Sequence, residues 1–284
     1  LIIDKREHIG GNCYDYKNED GILIHKYGSH IFHTDYKDVW EYLSQFTDWL
    51  YYQHKVLGFI DGKFVPIPFN LNTLYELFSL KFAQKLEEKL INKFGYNKKV
   101  PILELKKAKD KDLKFLVNFV YEKVFLHYTE KQWGLKPEEI DSSVTARVPV
   151  VISRDDRYFQ DKYQGVPEEG YTKMFEKMLK NKNITVQLNT NFKDIKNKNK
   201  YDIIFYTGPI DEFFNYKFGR LDYRCLKLNF QTLSKESYQP VAVVNYPNNY
   251  DFTRIVEFKK LTQQNHKKTT IAIEYPGTEG FMAY

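Results

Sequence analysis

Cysteine is nearly absent from this chain of 284 residues: Cys13 and Cys225 are the only two. That excludes a disulfide framework and a thiolate metal centre, so a reduced compartment, the cytoplasm, is expected. No apolar run approaches the roughly 20 residues needed to cross a bilayer, and no signal-peptide pattern opens the chain; membrane insertion is not expected. Proline is also scarce at ten residues, while 42% of the chain is hydrophobic and 28% charged, which excludes wholesale disorder. Nor is there a large excess of one charge. The 43 basic and 37 acidic residues leave +6, suited to an enzyme with a small anionic substrate rather than to a nucleic-acid binder. The densest basic stretch, around Lys193, Lys196, Lys198 and Lys200, reads as a solvated loop.

What the chain does have is aromatic rings: 23 tyrosines and 22 phenylalanines. They suit either a core or a site that stacks on a planar ligand, and composition does not choose. Leu1, Ile2, Ile3 and Asp4 read as the end of a buried parallel strand with an acid at its carboxyl end, followed by a tight turn at Gly10, Gly11 and Asn12. Alternation over residues 51–69, with Asp61-Gly62 at the centre, predicts a β-hairpin. Residues 72–128 read as largely helical, interrupted by a polar stretch at 98–112; Leu113, Leu116, Val117, Val120 and Val124 share one helix face. A shorter helix is predicted over 170–181, then a strand over 184–188 and a buried strand at Ile203, Ile204, Phe205 and Tyr206. Residues 226–230, 241–246 and 269–274 read as further strands, antiparallel in arrangement. This late return to alternating helix and strand predicts a discontinuous nucleotide-binding domain.

Asp4 stands where a doubly wound fold places the acid that binds an adenosine ribose, although strand-end acids are also ordinary surface residues. The matching glycine-rich phosphate loop is expected about twenty residues upstream, before Leu1. His30 and His33 lack a third metal ligand at a suggestive spacing, so no metal is expected; they read as backbone-satisfied histidines or as ligand contacts. Residues 128–134 (Tyr-Thr-Glu-Lys-Gln-Trp-Gly) offer a stacking platform for a base, or equally a packing plug between domains. Arg147, Arg154, Arg157, Arg224 and Arg254 suit a pyrophosphate, whose planar oxygen faces match guanidinium forks, or simply the surface.

Taken in order, residues 8–12 (His-Ile-Gly-Gly-Asn), 26–34 (Lys-Tyr-Gly-Ser-His-Ile-Phe-His-Thr) and 128–134 resemble the UDP-galactopyranose mutase family. So do Tyr158-Phe159, Tyr163-Gln164-Gly165, residues 170–173, Tyr206-Thr207-Gly208-Pro209 and Phe252-Thr253-Arg254. The resemblance implies an α/β fold: an FAD-binding Rossmann-like domain (1–45 and 166–222), an inserted helical substrate domain (70–135), and an antiparallel β-sheet domain (46–69, 136–165 and 223–284). It implies an isomerase that interconverts UDP-galactopyranose and UDP-galactofuranose through a covalent adduct between flavin N5 and the sugar on reduced FAD. The product would supply cell-surface polysaccharides. Asp4, Gly10, Gly11, Asn12, His33, Thr207 and Gly208 would contact FAD, with His30 beside its ring as a catalytic group. Phe125, Tyr128, Thr129, Trp133, Tyr158 and Asn245 would form the uridine side, and Arg147 and Arg254 would clamp the diphosphate. Arg224, His54 and Tyr284 would also contact substrate, and the family leaves a homodimer open.

There are departures from the family pattern. The phosphate loop and first strand are expected before Leu1, and a flavin- and sugar-facing segment after Tyr284, so N- and C-terminal parts of the fold are expected to be missing. Val151 stands where a second loop arginine is frequent, with Arg154 close by; Phe252 replaces a tyrosine, and His54 falls where some members have asparagine. The alternatives are an FAD-dependent oxidoreductase of the amine-oxidase type and an inactive fragment of the mutase. The paired arginines argue against the first, whose substrates carry no diphosphate.

Overall fold

The computed structural model of the chain describes residues 1–141 and 148–278, with the backbone of 281–282. Seven strands build its main sheet: β1 (Val56–Ile60), β2 (Lys63–Ile67), β3 (Cys225–Leu233), β4 (Val243–Asn245), β5 (Arg254–Glu257), β6 (Thr269–Gly277) and β7 (Phe281–Met282). Their order is β7-β3-β6-β5-β4-β1-β2, and among the described residues only the β1–β4 pair of this sheet runs parallel. The expected hairpin is present. Asp61 and Gly62 both take positive φ (48° and 81°), the two-residue geometry whose twist matches the flanking strands. Val56, Ile67, Val243, Val256 and Ala272 project from the sheet into a core completed by Ile22, Ile24, Val166 and the fully buried Phe258. Burying a ring of that size is worth about 2–3 kcal/mol.

A helical layer lies beside the sheet. Asn70 caps α1 (Leu71–Leu77) by accepting from the amides of Asn72 and Thr73, and Thr73 returns the bond. After α2 (Leu80–Phe94), Asp110 caps α3 (Lys111–Val120) at 2.9 and 3.0 Å. Leu113, Leu116, Val117 and Val120 are buried, as their spacing predicts. The helix then widens into a π-helical stretch, Tyr121–Leu126, before α4 (His127–Trp133) ends at Gly134. Such stretches rotate the face that follows them. Val124, Phe125, Tyr128 and Thr129 accordingly meet the sheet side while α3 packs into the helical core. The interruption at 98–112 is not loop throughout: Lys98–Val100 pairs antiparallel with Val150–Ile152.

The α/β part departs further from expectation. Ile2–Ile3 does run parallel to Val186–Gln187, but Leu1 and Ile2 are half exposed rather than buried. The strand predicted at residues 203–206 does not form. The segment has no regular secondary structure, and Phe205 is 87% exposed. Strand formation needs a partner edge, and among the described residues none pairs with this one. The helix α5 (Tyr171–Met178) is anchored from a distance, because the buried Asp15 accepts from the amides of Tyr171 (2.6 Å) and Thr172 (2.8 Å). Burial pushes the Asp15 carboxyl up, and these bonds at the positive end of the helix oppose it. Gly170 makes the approach possible: its φ is +94°, and a Cβ would lie 2.6 Å from Asp15 Oδ2. Gly170→Ala is expected to cost about 2 kcal/mol and lower the thermal midpoint by roughly 5 °C. Thermal denaturation checks this; an unchanged midpoint would show that the anchor yields.

Candidate active site

A cavity of about 420 Å³ opens where α4 faces the sheet, a volume suited to a small organic ligand. The helical side contributes Val124, Phe125, Tyr128, Thr129, Gln132 and Trp133. The sheet contributes His54, Val56, Gly58, Ile67, Val243, Asn245 and Arg254. Two loops close it: Ser29, His30 and Ile31, and Tyr158 with Phe159. Both loops hang from a small sheet in which Tyr163–Pro167 lies between Phe32–Thr34 and Trp49–Tyr51. Val148 and Pro247 complete the wall.

Among the described residues lining the cavity, Arg254 brings its positive charge. Its Nε lies 2.9 Å from Glu274 Oε2, directly across the β5–β6 pair, and one terminal amine donates to the Tyr128 hydroxyl at 3.1 Å. Burial pushes the Glu274 carboxyl up, and Arg254 pulls it back. The guanidinium is thus aimed by a buried carboxylate on one side and an aromatic hydroxyl on the other. Asn245 adds a buried side-chain oxygen that has no hydrogen-bond partner among the described residues. Such an acceptor is costly to bury unless a ligand donor meets it.

Both cavity histidines are held neutral. Burial, then Arg254 and His33, lower His54 to about 4. Burial also lowers His30. The Nδ1 of His30 lies 2.9 Å from the Gly28 carbonyl, which only accepts, so Nδ1 carries the proton and Nε2 the lone pair. The His30 amide donates to Nδ1 of the fully buried His25, which burial keeps neutral down to about pH 3. A charged Arg254 with neutral imidazoles suits an anionic ligand that must also be hydrogen-bonded without added charge.

The cavity therefore brings together His30, His54, Phe125, Tyr128, Thr129, Trp133, Tyr158, Asn245 and Arg254. His33 sits one layer behind, stacked on Phe159 at 3.7 Å and paired with Asp161 at 3.0 Å. Arg224 does not line it; its guanidinium donates to the carbonyls of Gln132 and Lys131 at the end of α4. Arg147 and Tyr284 lie outside the described residues. Phe159, Gln132 and Gly58 also line the cavity, a role that the sequence motifs do not assign to them. Strand alternation alone would have found Gly58, which shares the inward face with Val56 and Ile60.

Asp4, Gly10, Gly11 and Asn12 form a separate turn. Asp4 Oδ1 accepts from the Arg6 amide, and Arg6 donates onward to Asn12 Oδ1, both at 2.8 Å. Gly10 and Gly11 take positive φ. A partly exposed carboxylate at the carboxyl end of a parallel strand, beside such a turn, fits the ribose diol of a dinucleotide. Thr207 and Gly208 are exposed on a different segment. No group of three or more potential metal ligands occurs among the described residues, and no helix there is long and apolar enough to cross a membrane.

Residues 123–284 match the family model described as UDP-galactopyranose mutase, and residues 1–46 match that of an NAD(P)-binding Rossmann-like domain. The chain is 36% identical to a probable UDP-galactopyranose mutase of Klebsiella pneumoniae, over 96% of this chain and 71% of that protein. It is 34% identical to a dTDP-fucopyranose mutase of Escherichia coli, over 96% of this chain and 74% of that one. Its fold matches a crystal structure of reduced UDP-galactopyranose mutase with a TM-score of 0.64 at 13% identity, covering 98% of this chain and 69% of the other.

Proposed function

This chain belongs to the UDP-galactopyranose mutase family, and we propose that it interconverts the six- and five-membered ring forms of UDP-galactose. The observation that carries the reading is the placement of Arg254, held by Glu274 and Tyr128, against a wall of aromatic rings in one cavity. A nucleoside diphosphate needs those two halves together: a flat apolar surface for the base and a fixed cation for the phosphates. In this reading Phe125, Tyr128, Thr129, Trp133, Tyr158 and Asn245 take the uridine. Arg254, with Arg147, takes the diphosphate, where charge grows as the sugar leaves. His54 and Tyr284 contact the sugar nucleotide, and Arg224 acts on it through the end of α4.

Residues 1–45 and 166–222 form the dinucleotide-binding unit, 70–135 the helical unit, and 46–69, 136–165 and 223–284 the sheet unit. FAD is the dinucleotide assigned to the turn of Asp4, Gly10, Gly11 and Asn12, with His33, Thr207 and Gly208 contributing. What reduced flavin supplies when bound is covalent catalysis at the anomeric carbon, with no net change in oxidation state. His30 keeps its proton at Nδ1, against Gly28, and so offers an acceptor rather than a charge. Two free cysteines are compatible with a reduced cytoplasm, where the product would feed polysaccharide synthesis.

The test is turnover by the full-length protein, with UDP-galactofuranose and dTDP-fucofuranose supplied in parallel because relatives of both names match equally far along the chain. Conversion of the UDP-sugar is expected only after chemical reduction. Failure to convert either sugar nucleotide by flavin-loaded, reduced protein would overturn the reading, and preference for the dTDP-sugar would reassign the substrate.

A further inference from the structure

Lys131 sits in the middle of the cavity-lining helix but does not line the cavity. Its Nζ instead donates to the carbonyls of Tyr246 (2.5 Å) and Phe252 (3.0 Å). Those carbonyls flank the turn between β4, which ends in Asn245, and β5, which begins with Arg254. The turn is closed by the Tyr246 amide on the Thr253 carbonyl at 2.8 Å. It reaches the helical side a second time, where Asn248 Nδ2 donates to the Lys123 carbonyl at 2.8 Å in the π-helical stretch. At the far end of α4, Arg224 holds the Gln132 carbonyl.

A long, flexible cation half-withdrawn from water is an expensive way to satisfy two carbonyls. Burial lowers Lys131 to about 8, against the opposing charge of Asp251, so the cost of the arrangement is visible in the group itself. No such desolvation is needed to stabilise a surface turn. The cost has a counterpart only in what the tether joins: the base-side wall on α4, and Asn245 and Arg254 on the sheet.

We infer that Lys131 is a positioning residue, fastening the helix that would hold the nucleoside to the turn that carries the phosphate-binding arginine. This rests on the mutase reading and extends it to a group that touches no substrate. The spacing between aromatic wall and guanidinium is what a nucleoside diphosphate spans. Arg254 stays aimed by Glu274 on the neighbouring strand when the tether loosens, so the loss falls on the base-side wall and weakens binding in ground and transition state alike. Such a change raises KM and leaves kcat nearly as it was.

The experiment compares wild-type full-length protein with Lys131→Met and Lys131→Gln. It measures UDP affinity by calorimetry, and KM and kcat for the UDP-sugar. Loss of a charged double hydrogen bond predicts a rise of about tenfold in Kd and KM for Met, a smaller rise for Gln, and kcat within about twofold. Unchanged Kd and KM in a folded variant, or a fall in kcat alone, overturns the inference. Should Met prevent folding, Gln, which keeps one donor, decides by the same criterion. Wild type that binds no UDP and converts no sugar nucleotide sinks the mutase reading and this inference together. Wild type that binds while both variants match it sinks this inference alone.

Discussion

Replacing Arg254 by alanine lowers kcat/KM for the sugar nucleotide by about three orders of magnitude, the expected cost of one preorganised donor where leaving-group charge develops. The size follows from its setting. Arg254 is fixed by Glu274 at 2.9 Å and Tyr128 at 3.1 Å, so little conformational freedom remains to be lost when a diphosphate arrives. The same substitution strands Glu274, which is nearly inaccessible to solvent, and uncompensated buried charges are costly. Stability should therefore fall alongside rate. Arg254→Lys separates the two effects: it restores a charge for Glu274 but not the planar fork, so it should recover more stability than catalysis. Steady-state kinetics with denaturant unfolding on both variants make the comparison. A rate within about threefold of wild type in the alanine variant would remove Arg254 from the site.

The sequence made the site more legible than the fold around it, for a physical reason. Tyr128, Thr129 and Trp133 fall on one stretch of chain, so their convergence follows from helical spacing once α4 is placed. Arg254 and Asn245 lie opposite one another across β4 and β5, a pairing that strand alternation makes readable. The strand predicted at residues 203–206 shows the opposite case. Four apolar residues satisfy a strand pattern locally, but a strand exists only where another edge pairs with it, and sequence spacing carries no record of that edge. The contacts of Asp15 and Lys131 are invisible for a related reason. Each acts on backbone atoms more than a hundred residues away, so no local pattern, not even the 128–134 motif that contains Lys131, records the contact. Arg224 was legible as an important arginine but not as a group facing helix carbonyls, because an arginine's partner is set by tertiary placement.

Glu274→Gln is expected to slow the enzyme by about tenfold without a matching loss of stability, since a partner that aims a functional charge commonly affects function by 10- to 100-fold. Glutamine keeps the shape and one acceptor for Arg254 but withdraws the charge that fixes it. Stability should respond in the other direction. Burial holds the folded-state carboxyl above its ordinary value, so the native state takes up protons more readily than the unfolded chain there. The stability that Glu274 contributes is present below the ordinary carboxyl value and is lost as pH rises through the raised one. Unfolding measured across that interval should therefore show a downward slope in wild type that the glutamine variant lacks. Combined with Arg254→Ala, Glu274→Gln should add little further loss of rate, because its effect passes through the arginine. Additive losses would mean instead that Glu274 acts on the substrate by a route of its own. A charge kept buried at a cost in stability, and repaid only in the aim of its partner, is the pattern expected where a site has been shaped for a ligand rather than for the fold.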